Sequence, residues 1–313
     1  MKYLALSLTL LLGCTTPAPA IDAARDAPTT SDAIASAVDI TNTIFTRQSG
    51  DCSAYAGSYV SEVTDVQRSL PFVGHVDITV DATACHLTSN AIPSHDFDDA
   101  SAHFATLTIA ITKTFDIPRN PTMAATPTAL TLMTYDAVML DGVVVDLLSA
   151  GCYGVGDGHI GCSDLSTPWR YDPMSPSASF GTDMHHAHTQ PDGRYHYHGD
   201  PLAMYGDGTH ASPVIGFAAD GFPIYGPYFD DGTGVRAARS GYVLRTGTRS
   251  SGPGGTYDGT YVDDYVFTGA GDLDQCNGMT IGGQYGYYVT SSYPWILGCL
   301  RGTVNHSFDK GMP

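Results

Sequence analysis

Asp183-Met184-His185-His186-Ala187-His188-Thr189-Gln190-Pro191-Asp192-Gly193-Arg194-Tyr195-His196-Tyr197-His198 reads as a β-hairpin with histidines gathered on one face. Side chains two apart in a strand project to the same side. His186 then shares a face with His188, and His196 with His198, while Tyr195 and Tyr197 point the other way, into a core. Between the pairs, Gln190-Pro191-Asp192-Gly193 has the residues of a turn. A reversal there sets the two His-x-His pairs beside each other on adjacent strands. His185 falls out of phase with His186 and points away. Imidazoles clustered without thiolate suit Cu(II), Zn(II) or Ni(II), and copper or zinc is the expected ion. The competing reading of the same residues is a structural, hydrogen-bonded cluster.

Outward from this hairpin the chain keeps a β character. Val76-Asp77-Ile78-Thr79-Val80, Ala105 to Ile111 and Val143 to Leu148 are short, β-branched runs bounded by turn formers, as strands are. The best helical stretch is Asp32 to Ile44. Gly193 to His198 has a faint echo in Gly283-Gln284-Tyr285-Gly286-Tyr287-Tyr288, which reads either as a second hairpin of the same sheet or as chance recurrence of tyrosine. The chain carries 35 glycines and 19 prolines, and its acid is almost all aspartate, with Glu62 the only glutamate. Aspartate favours turns and caps where glutamate favours helix surfaces. The expected fold is mainly β: one loop-rich domain of two packed sheets or an irregular barrel, stapled by disulfides. A formal charge of −18 argues against nucleic acid as a partner and attracts cations instead.

The first residues predict export. Lys2 supplies a positive start, Tyr3 to Leu12 an apolar run too short to span a bilayer, and Leu11-Leu12-Gly13-Cys14 reads as a lipobox. Residues 1–13 are then a lipoprotein signal peptide, and Cys14 a lipidated membrane anchor. Residues 14–37 form a disordered tether, and 38–313 the folded domain. The expected location is the cell envelope, at the outer membrane or in the periplasm. The alternative is cleavage after Ala18-Pro19-Ala20 and secretion. Without Cys14 six cysteines remain, an even set that suits disulfides in an oxidising compartment. The simplest pairing joins neighbours: Cys52 with Cys85, Cys152 with Cys162, Cys276 with Cys299.

Other signals are weaker. Asp220-Gly221-Phe222-Pro223-Ile224-Tyr225-Gly226 reads as a tight corner, with Pro223 a candidate for a cis bond. Asp230-Asp231-Gly232, Tyr257-Asp258-Gly259 and Asp263-Asp264 lack the alternating oxygen spacing of a calcium loop, so calcium is the less favoured ion. There is no Gly-x-Ser-x-Gly elbow, phosphate-binding glycine loop or His-Glu-x-x-His motif, which removes those hydrolase and nucleotide-binding classes.

The hairpin, followed by Ile215-Gly216-Phe217-Ala218-Ala219-Asp220-Gly221-Phe222-Pro223-Ile224-Tyr225-Gly226, resembles the YHYH domain family. Ser89-Asn90-Ala91-Ile92-Pro93-Ser94-His95, Asp272 to Gly278, and Pro294 to Gly302 extend the resemblance over roughly residues 85 to 308. It implies an exported protein and attaches no reaction. It also singles out His95, His188, His196 and His198 as motif histidines, ahead of His75, His86, His103 and His210. Where some relatives repeat Tyr-His-Tyr-His, this chain has Tyr285-Gly286-Tyr287-Tyr288, so one site is expected. The leading expectation is metal binding through His186, His188, His196 and His198, with His95 as a further ligand. A metal-dependent enzyme using the same histidines, with Asp183, Arg194 and Tyr225 as candidate substrate-binding residues, is the second. The third is a surface module binding glycan or protein, with the histidines structural.

Overall fold

Alternation decides which face each strand buries: in Gly74-His75-Val76-Asp77-Ile78 the first, third and fifth residues are buried and the others exposed. A computed structural model of the chain describes residues 37–311. The signal peptide at 1–13, Cys14 and all but the end of the 14–37 tether lie outside the described residues. The strands in chain order are β1 (Val38–Asp39), β2 (Gly57–Asp65), β3 (Leu70–Val80), β4 (Ala84–Ser89), β5 (Lys113–Pro118), β6 (Ala137–Met139) and β7 (Val144–Val145). There follow β8 (Ala187–Thr189), β9 (Tyr195–Tyr197), β10 (Val214–Ala218), β11 (Pro223–Tyr225), β12 (Tyr228–Asp230), β13 (Val235–Ala237), β14 (Tyr242–Leu244), β15 (Tyr265–Phe267), β16 (Gly278–Ile281) and β17 (Gln284–Tyr288).

Strands β1 to β5 make one sheet in sequential order, and a second sheet runs β16-β17-β11-β10-β6-β7-β9-β8. Pairs β12–β13 and β14–β15 are separate two-stranded ribbons. Residues flanking the first sheet pack against the second: Tyr55, just before β2, meets Phe217 edge-on at 5.7 Å, and Phe97, after β4, meets Tyr195 at 5.4 Å, while Ser89 at the end of β4 donates to Gly142 O at 2.6 Å. Of the two expected architectures, packed sheets form and a closed barrel does not. Disulfides join Cys52 to Cys85, Cys152 to Cys162 and Cys276 to Cys299, the neighbour pairing read from the sequence.

The large sheet has a pseudo-two-fold axis through the β6–β10 pair. Val138 pairs with Phe217, Met139 with Gly216 and Ala137 with Ala218, so exchanging the two strands returns the same register. Each then turns through Asp-Gly, Asp141-Gly142 or Asp220-Gly221, with both glycines at positive φ. β7 pairs in parallel with β9, and β11 with β17. The buried polar bonds repeat as well. Tyr197 donates to Asp141 at 2.8 Å and Tyr287 to Asp220 at 2.6 Å. Tyr195 donates to Asp183 at 2.8 Å and Tyr285 to Asp274 at 3.1 Å. His186 and Asn277, before the outer hairpins β8–β9 and β16–β17, share a left-handed φ near 60°. The echo between 193–198 and 283–288 is therefore a second hairpin of the same sheet.

Four expectations change. From residue 37 on, the proposed Asp32–Ile44 helix is instead strand β1 and a turn. Ala105 to Ile111 is not a strand: Ile109 N–H donates to Gly193 O at 3.0 Å and Ile111 N–H to Asn90 O at 2.9 Å. Its backbone bonds thus go to loops and strap the histidine hairpin from outside. Within Val143–Leu148 only Val144–Val145 is strand. The cis X-Pro bond among the described residues is Tyr293–Pro294, not Phe222–Pro223.

Buried carboxylates set a pH dependence. Burial pushes Asp136 up to about 8, and Asp141 and Asp172 up to about 6. Unfolded aspartate titrates near 3.9, so between that value and the folded ones the native state holds more protons. Stability then falls as pH rises. Neutral His95, His188, His196 and His198, whose pKa values burial lowers, act in the opposite sense below about pH 6.5. The carboxylate effect is therefore read above it: urea midpoints of chelator-treated protein are expected to be higher at pH 7 than at pH 9, across the titration of Asp136. A flat or reversed profile would show Asp136 to be paired differently.

Candidate metal centre

The β8–β9 hairpin closes at Gln190 to Gly193, where Gly193 has φ +88° and its N–H donates to Gln190 O at 2.8 Å. This register sets His188 directly opposite His196, with Ala187 opposite Tyr197 and Thr189 opposite Tyr195. His196 and His198 share the other face of β9 from the tyrosines, as the alternation requires. The three Nε2 atoms converge: His196 to His198 is 3.0 Å, and His198 to His188 is 3.0 Å.

The hydrogen-bond partners fix what those nitrogens are. His188 Nδ1 faces Phe180 O at 2.6 Å, and His196 Nδ1 faces Arg194 O at 3.3 Å. A carbonyl only accepts, so each Nδ1 carries the proton and each Nε2 offers a lone pair. Burial holds the His196 and His198 pKa values well below the usual histidine range and also lowers that of His188. His198 Nδ1 has no partner, so its Nε2 faces the lone pairs of both neighbours and has at most one proton to share between them; in the tautomer that matches theirs, the three lone pairs repel. A shared cation removes that repulsion, and ligands of a tetrahedral ion at about 2.0–2.1 Å sit about 3.3 Å apart. The donor set fits a transition metal.

The triad opens on a cavity of about 640 Å³ that Asp146, Gln190 and Lys310 also line. Asp146 follows β7, beside His198, and is 4% exposed. Its Oδ2 accepts from Gln190 and Lys310, both at 2.5 Å, and its Oδ1 has no partner. Sequence reading missed these three. The one local signal is a charge ending the apolar run Val143-Val144-Val145-Asp146.

Of the candidate ligands, the structure brings His188, His196 and His198 together and leaves two elsewhere. His186 precedes β8 with φ +60°, which breaks the two-residue alternation, and its Nδ1 bonds Asp200 O at 2.6 Å. His95 lies on the tyrosine face, bonded through Nε2 to Tyr197 Oη at 2.7 Å and stacked on His185 at 3.6 Å. The candidate substrate residues do not line the histidine cavity either. Asp183 is a buried acceptor for Tyr195 and for the backbone of His185. Arg194 lies over the Tyr135 ring at 5.7 Å and donates to Ile111 O. Tyr225 stacks on Tyr288 at 5.0 Å in the opposite half of the sheet. Among the weak calcium candidates, Asp231 pairs with Arg236, and Asp258 and Asp264 with Arg249.

A family model described as YHYH protein matches residues 114–302, from β5 to the segment after Cys299. No curated protein and no solved structure matches the chain.

Proposed function

The chain belongs to the YHYH protein family, and from that premise we propose that it binds one copper or zinc ion through His188, His196 and His198. The observation carrying this reading is the convergence of three imidazole Nε2 atoms, with that of His198 3.0 Å from both His196 and His188. The ion would supply Lewis acidity at the floor of the cavity. Three protein donors leave a coordination position free, as in catalytic more than in structural zinc sites. That free position, with the unpartnered Asp146 Oδ1 in the same cavity, favours a metal-dependent enzyme over a pure storage role as the second reading.

Export completes the proposal. Three disulfides suit an oxidising compartment, and the lipobox Leu11-Leu12-Gly13-Cys14 supports lipidation at Cys14. The intact mass of mature protein from its host separates a lipidated Cys14 from a secreted form starting at Ile21.

The metal reading is tested by elemental analysis of protein purified without chelator. About one equivalent of copper or zinc is expected. Chelation should lower the melting temperature by about 5–10 °C, since an ion at a hundred times its Kd adds about 2.7 kcal/mol and each kcal/mol moves a domain of this size by about 2–4 °C. Metal-free protein that takes up neither ion would overturn it.

A further inference from the structure

The pseudo-two-fold separates scaffold from chemistry within one chain. The turn aspartates, the tyrosines bonded to them and the left-handed residue before each outer hairpin recur in both halves. The residues facing the histidine cavity do not. By strand register, His188 corresponds to Met279, His196 to Gly286, His198 to Tyr288, Gln190 to Ile281 and Asp146 to Tyr225. The exchange is concerted. A Cβ at Gly286 would stand 2.5 Å from Tyr225 Cε2, so the glycine is what lets the Tyr225 ring lie where a histidine would otherwise project.

The second half also has a cavity at the corresponding place. It measures about 380 Å³ and is lined by Tyr225, Tyr288 and Ile281, counterparts of Asp146, His198 and Gln190 around the first. Volumes of about 300–1,000 Å³ are usual for small-molecule sites. Half-buried Tyr228 adds aromatic surface, Phe229 is buried beneath the Arg236 guanidinium, and Gln48, Asp230 and Gln284 lie exposed at the rim. The Tyr225 hydroxyl reaches only Gln48 O, at 3.5 Å, the limit of a hydrogen bond.

We propose that this second cavity is a binding site for a neutral saccharide. Its lining holds no histidine or cysteine, which removes transition metals, a single carboxylate, Asp230, too few for a hard cation, and no lysine or arginine, which removes phosphate and carboxylate ligands. Ile281 and Ala211 are its only aliphatic side chains, too little for a lipid chain. What remains is aromatic carbon beside phenol, amide and carboxylate groups. Aromatic rings present an apolar body with a polar edge, a match for a sugar whose C–H face packs on carbon while its hydroxyls bond to oxygen and amide. The site is independent of the metal: none of its lining residues belongs to the histidine cavity.

The test is titration of the full chain, by calorimetry and by NMR, with N-acetylglucosamine, cellohexaose and mannohexaose, and with tetramethylammonium as the competing aromatic-cage ligand. At least one saccharide is expected to bind saturably. Tyr228→Ala should weaken it roughly tenfold or more, and the rim variant Gln284→Ala severalfold. Metal content should be unchanged in both variants, and sugar binding unchanged in His196→Ala/His198→Ala. No saturable saccharide binding, binding that survives both cavity variants or is lost in the histidine variant, or binding of tetramethylammonium alone would overturn the proposal.

Discussion

Replacing His196 and His198 together by alanine is expected to abolish stoichiometric copper or zinc binding while leaving the fold in place. Each single variant should weaken binding by more than the roughly 10–100-fold typical of losing an indirect partner of a ligand. The fold should survive because these side chains face a cavity and not the core between the sheets. Their ring nitrogens meet only each other, His188, and one carbonyl at 3.3 Å. The double variant's melting temperature without metal should therefore stay within a few degrees of wild type, and the stabilisation by added zinc should vanish. A double variant that keeps one equivalent of metal would remove the proposed site. His95→Ala and His186→Ala are the informative controls, since both lie off the triad and should keep the ion.

Gly142→Ala is expected to destabilise the protein by about 2–5 kcal/mol. Two costs combine. Gly142 has φ +86°, where an L side chain costs roughly 1–2 kcal/mol. In addition its Cβ would lie 2.5 Å from Ser89 Cβ and 2.8 Å from Val76 Cγ2, and overpacking a core typically costs about 1–3 kcal/mol. Ser89 cannot simply retreat, because its hydroxyl donates to Gly142 O at 2.6 Å. Gly232 separates the two costs. It has the same φ of +86° with no atom within 4 Å, so Gly232→Ala should show the backbone part alone. Equal denaturation midpoints for the two variants would mean that the sheets do not meet at this turn as described.

The β class, the disulfide pairing and the three-histidine core were legible because each rests on local rules. Alternation places His196 and His198 together, and the Pro191-Asp192-Gly193 turn brings His188 across. The same rules misled where one residue departs from them. His186 keeps the i, i+2 spacing to His188, yet a left-handed φ at that residue swings its ring toward Asp200. Ala105 to Ile111 has strand composition, but composition does not say whether a backbone bonds to a ladder or, as here, to the loops of a hairpin 80 residues on. His95 and Lys310 are placed by contacts between distant segments, which carry no local signal. Tyr285 to Tyr288 showed only an echo, since the repeat lies in strand register and in tyrosine–aspartate bonds more than in residue identity.

The β6–β10 pair has a further meaning. Met139 meets Gly216 while Ala137 meets Ala218, and that reciprocity is the signature of an isologous contact, the kind by which two identical subunits associate. Here it lies within a single polypeptide, so the large sheet has the two-fold plan of a dimer interface inside one chain. Subunits of a true homodimer share one gene and must change together. Within one chain the two halves are free to differ, and a histidine pocket sits across the dyad from an aromatic one.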